Sequence, residues 1–197
     1  NMVAAAKQSS PLLKGLESHF SPDELERLAG AKIGIAGAGG LGSNVAMLLA
    51  RSGVRNFVIA DHDVVEASNL NRQWFWPEDV GKPKVSALEE RLRSLDPGIV
   101  CDARRLRLEP GLVCGIFSDC GVVVEALDDA ALQAALCSAL LAGGFVVVAA
   151  SGLAGYGRPP MQVRKMGAAF VCVCDFASGV SDPHQPLTPR GLQSAGL

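Results

Sequence analysis

Lys32-Ile-Gly-Ile-Ala-Gly-Ala-Gly-Gly-Leu-Gly-Ser43 is the stretch on which the fold turns. Its first five residues read as a short buried strand, and they run directly into Gly37-x-Gly39-x-x-Gly42. From Ser43 to Ser52 the composition is helical and stops at Gly53. Strand, glycine turn and helix in that order form the context in which this spacing binds nucleotides. The glycines permit a tight turn and close backbone approach, and the helix N-terminus offers free amides to an anion. Gly37, Gly39, Gly40 and Gly42 are therefore candidate cofactor-binding residues. Phe57-Val-Ile-Ala60 is a second strand and ends at Asp61, where a carboxylate can accept hydrogen bonds from ribose hydroxyls.

Outward from this centre the chain keeps alternating. Ser21-Pro22-Asp23-Glu24 combines a cap residue, a proline at the first helical position and a glutamate at the third, and opens a helix to about Leu28. Residues 84–94 return to helical spacing, with Val85, Leu88, Leu92 and Leu95 on one face and Pro97 closing it. A strand at 100–106, a short helix at 112–117 and a strand at 121–125 follow. Asp129 then caps a helix to Ala142, and residues 145–150 form a fifth strand. Residues 161–165 and 169–173 are short and close together, as in a hairpin. The pattern predicts a Rossmann-like doubly wound α/β fold, a mostly parallel sheet with helices on both faces and a C-terminal edge hairpin. Residues 1–30 read as an N-terminal helical arm, 31–175 as the nucleotide-binding domain, and 176–197, with Pro183, Pro186 and Pro189, as a loop or tail.

Composition narrows the function. The 197 residues fit one domain with one core. A net charge of −2 offers no bulk field for a polyanion, and 5% aromatic residues make a base-stacking platform a poor fit, so nucleic acid is not an expected partner. Six cysteines contain no CxxC pair and sit mostly among Val, Ala and Leu; they read as reduced thiols of a cytoplasmic protein with no zinc site. The N-terminus shows no basic-then-apolar leader. The uncharged stretch between Asp129 and Arg158 is broken by Gln133, Ser138 and Gly143-Gly144, which suits a buried helix and strand rather than a membrane span.

Two further groups bear on chemistry. Between Asp61 and Lys82 the periodicity is lost over a length that exceeds a plain turn. Ser68-Asn69-Leu70-Asn71-Arg72-Gln73 gathers amide and guanidinium donors there, and Gly81-Lys82-Pro83-Lys84 brings two ammonium groups to a helix start. Such a set suits a triphosphate better than the diphosphate of a dinucleotide. Val122-Val-Val-Glu125-Ala-Leu-Asp128-Asp129 is an apolar strand ending in carboxylates, and strand C-termini in an open parallel sheet face the ligand crevice. A carboxylate among phosphates needs a cation between them, which makes Asp128 a candidate Mg²⁺ ligand.

GAGGLGS at 37–43, Asp61, SNLNRQ at 68–73, GKPK at 81–84 and Asp128 together resemble the ThiF/MoeB/E1 superfamily, ATP-dependent activators of ubiquitin-like and sulfur-carrier proteins. The resemblance covers roughly residues 20–175. It is nearest to the short bacterial ThiF-like proteins of thiamine biosynthesis, which AASGLAGYG at 149–157 and VCDFASGVSD at 173–182 also resemble. It implies that Asp61 binds the ribose of ATP, that Asn69, Arg72 and Gln73 contact phosphates, that Lys84 meets the α/β-phosphate region and that Asp128 holds Mg²⁺. It further implies a homodimer, and a loop beyond Asp175 that covers the crevice. The two CxxC pairs of longer members are absent, and Arg27 and Lys14 are the only candidates for their N-terminal arginine. Cys172 and Cys174 are the nearest candidates for a sulfur-handling thiol.

The expected activity is adenylation of the C-terminal glycine of a small ThiS-like carrier with a Gly-Gly tail, in thiazole formation for thiamine. An ionised carboxylate needs no general base, only alignment and charge neutralisation, for which Arg72, Lys84 and Asp128 are the catalytic candidates. The competing readings are the same activation applied to another carrier or a tRNA base, an NAD-linked oxidoreductase, and a nucleotide-binding module without turnover. The oxidoreductase would leave SNLNRQ and GKPK without a role.

Overall fold

The computed structural model describes residues 10–150 and 160–174. The element order is α1 (Pro11–Leu16), α2 (Pro22–Gly30), β1 (Lys32–Ala36), α3 (Gly42–Arg51), β2 (Asn56–Asp61), α4 (Lys84–Leu95), β3 (Val100–Arg105), α5 (Val113–Ile116), β4 (Val122–Glu125), α6 (Ala130–Ala142), β5 (Val146–Ala150), β6 (Gln162–Lys165) and β7 (Phe170–Cys174). Two single 3₁₀ turns, Ala67–Asn69 and Pro77–Asp79, punctuate the segment between β2 and α4.

Local chemistry sets the helix starts. Ser21 accepts from the Glu24 amide while the Glu24 carboxylate takes the Ser21 amide, a complete capping box with Pro22 behind it. Asp129 caps α6 by accepting from the Ala131 and Leu132 amides, both at 2.9 Å.

The strands form one seven-stranded sheet in the order β3-β2-β1-β4-β5-β7-β6. Every pair is parallel except β6 with β7, so the expected edge hairpin is present and its inner strand continues the parallel sheet. Period-two alternation sends Ile33 and Ile35 of β1 to one face, where α3 and α4 pack through Val45, Met47, Leu88 and Leu92. Ala36, Val58, Val123 and Val147 face the other way, against Ile116, Phe117, Leu136 and Leu140. Gly34 belongs to this second face, where an added Cβ would sit 2.6 Å from the Phe117 ring. Both faces are thus covered, as a parallel sheet requires.

The helix α1 is not among the elements that periodicity picks out. No helix of the described residues is long and apolar enough to cross a membrane. Residues 151–159 and 175–197 lie outside the described residues, and with them most of the two stretches that extend the family likeness and the whole of the expected 176–197 loop.

Candidate functional site

Strand order reverses at β1, which has β2 on one side and β4 on the other. The loops leaving β1 and β4 therefore diverge at one point, where an α/β sheet opens its ligand crevice. The glycine turn sits there and divides by role. Gly37 has φ +102°, a conformation glycine adopts at no steric cost, and a Cβ on it would lie 2.9 Å from the Ala126 carbonyl. A Cβ on Gly42 would overlap the Gly37 carbonyl oxygen at 1.8 Å. These two glycines are demanded by packing. Gly39 and Gly40 are open instead: the nearest atoms to an added Cβ are Gln73 Nε2 at 4.0 Å and Arg72 Cγ at 3.7 Å. Leu41, the N-cap of α3, supplies no side-chain cap. A bare backbone surface at an uncapped helix start, facing an arginine and a glutamine, fits a phosphate chain.

Asp61 is buried, and the Ala38 amide donates to its Oδ2 at 2.6 Å while the Asp63 amide donates to Oδ1 at 2.8 Å. It braces the glycine turn against the end of β2. Each oxygen keeps a second acceptor position, so a ribose hydroxyl remains compatible with the brace.

The SNLNRQ segment docks against the glycine turn. The Arg72 and Gln73 amides donate to the Asn69 carbonyl, and Arg72 Nη1 donates to the Ser68 carbonyl at 2.9 Å and to Asn71 Oδ1 at 2.8 Å. This folds the arginine stem over Gly40. Asn69 is buried and serves its own turn: its Oδ1 accepts from the Glu66 amide at 3.0 Å. Gln73 places Nε2 beside Gly39 and carries a buried Oε1 with no hydrogen-bond partner among the described residues.

Residues 63–65 and 81–84 zip together through the Val64–Pro83 bridge and the bond from the Lys84 amide to the Asp63 carbonyl. This brings Lys84, at the start of α4, beside the end of β2. Lys84 Nζ lies 2.8 Å from Asp63 Oδ2, and that hydrogen bond holds the Asp63 carboxyl below its usual range, against the opposing effect of partial burial. Lys82 does not join this group. Its Nζ is held by Asp79 at 3.3 Å and Glu90 at 2.7 Å, in a network that also fixes Arg91. The sequence neighbourhood of Lys82 and Lys84 concealed the difference, because Lys82 serves a carboxylate completely buried under the loop.

Asp128 follows the end of β4, is exposed, and makes no hydrogen bond or ion pair among the described residues. Asp61, His62 and Asp63 also bring ligand atoms within 4.8 Å of one another, but their carboxylates are committed to two backbone amides and to Lys84. Asp128 is the acidic group left available, and the hard oxygen donor it offers fits Mg²⁺. Glu125, at the end of β4, the central strand of the sheet, is fully buried. Burial pushes its carboxyl up to about 7, with the Leu127 amide and the Gln133 side chain opposing and Asp128 adding to the rise. Burial likewise pushes the Cys101 and Cys137 thiols up to about 12, Cys120 to about 11, and Cys172 in the same direction. None of these four is an activated nucleophile.

Asp63 and the Ser43–Asn44 pair are the residues that sequence reasoning missed. The DHD run at the end of the second strand was the available signal for Asp63.

The sequence profile described as the ThiF family matches residues 14–192. The Escherichia coli sulfur carrier protein ThiS adenylyltransferase is 34% identical over 136 residues, which cover 68% of this chain and 54% of that protein. The Thermus thermophilus sulfur carrier protein adenylyltransferase is 38% identical over 109 residues, covering 55% of this chain and 40% of that one. The adenylyltransferase and sulfurtransferase uba4 of Emericella nidulans is 38% identical over 128 residues, 64% of this chain and 27% of that one. The chain thus spans from about a quarter to about half the length of these curated relatives. Among solved structures, the E. coli tRNA N6-threonylcarbamoyladenosine dehydratase in complex with ATP aligns with a TM-score of 0.81 at 23% identity. That alignment covers 93% of this chain and 88% of the dehydratase and establishes a common fold.

Proposed function

The chain belongs to the ThiF family, and from that premise we propose that it is an ATP-dependent adenylyltransferase. Its substrate in this reading is the C-terminal glycine carboxylate of a small ubiquitin-like, ThiS-like sulfur carrier, and its place is thiazole formation for thiamine. The observation that carries the reading is the docking of the Arg72 turn over the open Gly39–Gly40 surface, with Lys84 held nearby by Asp63. The relatives named as sulfur-carrier adenylyltransferases support a carrier carboxylate as the acceptor of the adenylyl group.

The chemistry asks for little covalent work from the protein. A carrier carboxylate oxygen bonds to the α-phosphorus of ATP, the bond to the bridging oxygen of the β-phosphate breaks, and pyrophosphate leaves with that electron pair. The nucleophile is already ionised at neutral pH, so no side chain has to take a proton from it. What the residues supply is alignment of two anions and donors aimed at the charge that builds on the leaving group. The α3 N-terminus and Gly39–Gly40 amides would cradle phosphates, Arg72 would bridge them from the facing turn, and Lys84 would add a cation. Asp61 would hold the ribose while bracing the turn beneath it. Asp128 would hold Mg²⁺, which when bound neutralises phosphate charge and aids departure of pyrophosphate.

An NAD-linked reading explains the glycine turn and Asp61 but gives Arg72 and Lys84 nothing to do. Exchange of labelled pyrophosphate into ATP tests the proposal. Exchange is expected only with Mg²⁺ and a Gly-Gly-tailed carrier present; NADH binding without ATP binding would overturn it. A response to tRNA instead of any carrier would redirect the same chemistry to an RNA substrate.

A further inference from the structure

The first turn of α3 carries two polar side chains that the proposed chemistry does not use, Ser43 and Asn44, and both are buried. They turn toward backbone. Asn44 Nδ2 donates to the Gly40 carbonyl at 2.6 Å and to the Arg72 carbonyl at 2.9 Å. Ser43 Oγ donates to the Gly39 carbonyl at 2.7 Å and accepts from the Trp74 amide at 3.1 Å. An amide NH₂ has two hydrogens to donate, so these two carbonyls satisfy the Asn44 nitrogen and leave it nothing for a ligand. Each residue therefore ties the same two segments together: the glycine turn on one side, and on the other the stretch from Arg72 to Trp74. Helix propensity gives no reason for a Ser-Asn pair in a helical turn, since both residues compete for local backbone groups. Their reason lies in the contact across segments that are 28 and 31 residues apart in sequence.

We infer that Asn44, assisted by Ser43, is a positioning residue that fixes Arg72 over the Gly39–Gly40 surface, so that donors from two distant segments grip one triphosphate as a unit. The inference rests on the proposal that this surface binds ATP. Without the brace, the hydrogen bonds that shape the Arg72 turn run within the turn itself, to the Asn69 and Ser68 carbonyls and to Asn71. Such bonds shape the turn without themselves fixing its placement against the glycine surface.

Hydrogen exchange and nucleotide titration on the full chain test this. The only two tryptophans, Trp74 and Trp76, lie in the segment that the brace holds, so their emission reports ATP at this place. Asn44→Ala is expected to speed exchange of the amides at 72–74 while β1 and the second half of α3 keep their protection. It is also expected to weaken ATP binding about tenfold, the equivalent of one to two lost hydrogen bonds. In an Arg72→Ala background the same substitution should weaken ATP by less than about twofold, because the group it positions is gone. Equal factors in the two backgrounds, or unchanged exchange at 72–74, overturn the inference. Ser43→Ala removes one hydroxyl with little change of volume and gives the same measurements should the Asn44 variant unfold. If the unsubstituted chain binds no ATP, the reading of the site falls and takes the inference with it. If it binds ATP and the two backgrounds respond alike, the inference alone falls.

Discussion

Lys84 Nζ and Asp63 Oδ2 form a 2.8 Å ion pair in which the lysine side chain is 9% exposed and the aspartate 49%. The cation is the buried partner, so it depends on the carboxylate more than the reverse. The pair joins the end of β2 to the start of α4 and keeps a positive group at the mouth of the crevice. The Lys84 hydrogen bond, with burial opposing, holds the Asp63 carboxyl below its usual range. A carboxyl depressed in the folded state contributes stability above its unfolded value and loses it as pH falls through the folded one. Lys84→Met is therefore expected to flatten the acid limb of stability below about pH 4, read from thermal melts against pH. An acid limb identical to that of the unsubstituted chain would show that the pair is not formed in solution.

Arg72 and Asp128 belong to different loops, one between β2 and α4 and the other after β4, so in the proposed site each tests a different half. Arg72→Ala is expected to lower carrier-dependent pyrophosphate exchange by about 10²–10³-fold, as for loss of one preorganised charge stabiliser. Asp128→Ala should do the same and raise the Mg²⁺ concentration needed for half-maximal exchange. Exchange that survives both substitutions would remove these residues from the site.

Asp79 is completely buried and anchors the loop between β2 and α4. It accepts from Arg91 at 2.7 Å, from Lys82 at 3.3 Å and from the Trp76 amide at 3.0 Å, and Arg91 also lies over the Trp76 ring at 4.4 Å. Burial alone would raise its carboxyl, but the Trp76 amide, Arg91 and Lys82 outweigh it and hold the carboxyl low. Asp79→Ala leaves Arg91 and Lys82 without this partner and is expected to cost about 3 kcal/mol in urea unfolding at neutral pH. The difference should shrink as pH falls through the depressed carboxyl's range, where the native side chain also becomes neutral. A loss under about 0.5 kcal/mol would mean the loop is held by its apolar contacts instead.

The raised thiols make a chemical prediction. With Cys101 and Cys137 pushed up to about 12 and Cys120 to about 11, their thiolate fraction near neutrality is minute. Iodoacetamide applied to the folded chain should leave these three unmodified while labelling them readily in urea, as read by peptide mass spectrometry. Rapid labelling of Cys137 in the folded state would contradict its burial on the core side of α6.

The parts of this molecule legible in its sequence are those fixed by near neighbours. Strand alternation, the Ser21 and Asp129 caps and the glycine turn depend on residues a few positions apart, and each stands where periodicity and capping chemistry put it. Ser10 and Pro11 carry the same start signature as Ser21 and Pro22, yet α1 is only six residues long and buries only Leu16, too little periodicity to mark a helix. The site was legible as a set of donor types and illegible as a set of partners. Lys82 and Lys84 look alike on paper, but a buried carboxylate three residues back captures the first and a carboxylate twenty-one residues back captures the second. Asn44 reads as an ordinary helix position until Arg72 is brought against it.

Glu125 is the buried acid whose ionisation the fold opposes most. Its Oε1 accepts from the Leu127 amide at 2.8 Å, while Oε2 is buried with no hydrogen-bond partner among the described residues. Burial first, then Asp128, lifts the carboxyl from 4.5 to about 7. Between those values the native chain keeps a proton that the unfolded chain has released, so stability falls as pH rises through that window and levels off above it. The full drop is about 3 kcal/mol, from the linkage between pKa shift and stability. Glu125→Gln keeps an oxygen for the Leu127 amide and carries no titrating proton, so its stability should be flat across the same window. Urea unfolding of both proteins at intervals from about pH 5 to 8 reads the difference directly. Parallel pH dependence in the two would mean that Glu125 is already ionised at the bottom of the range, and that the end of β4 admits enough water to solvate it.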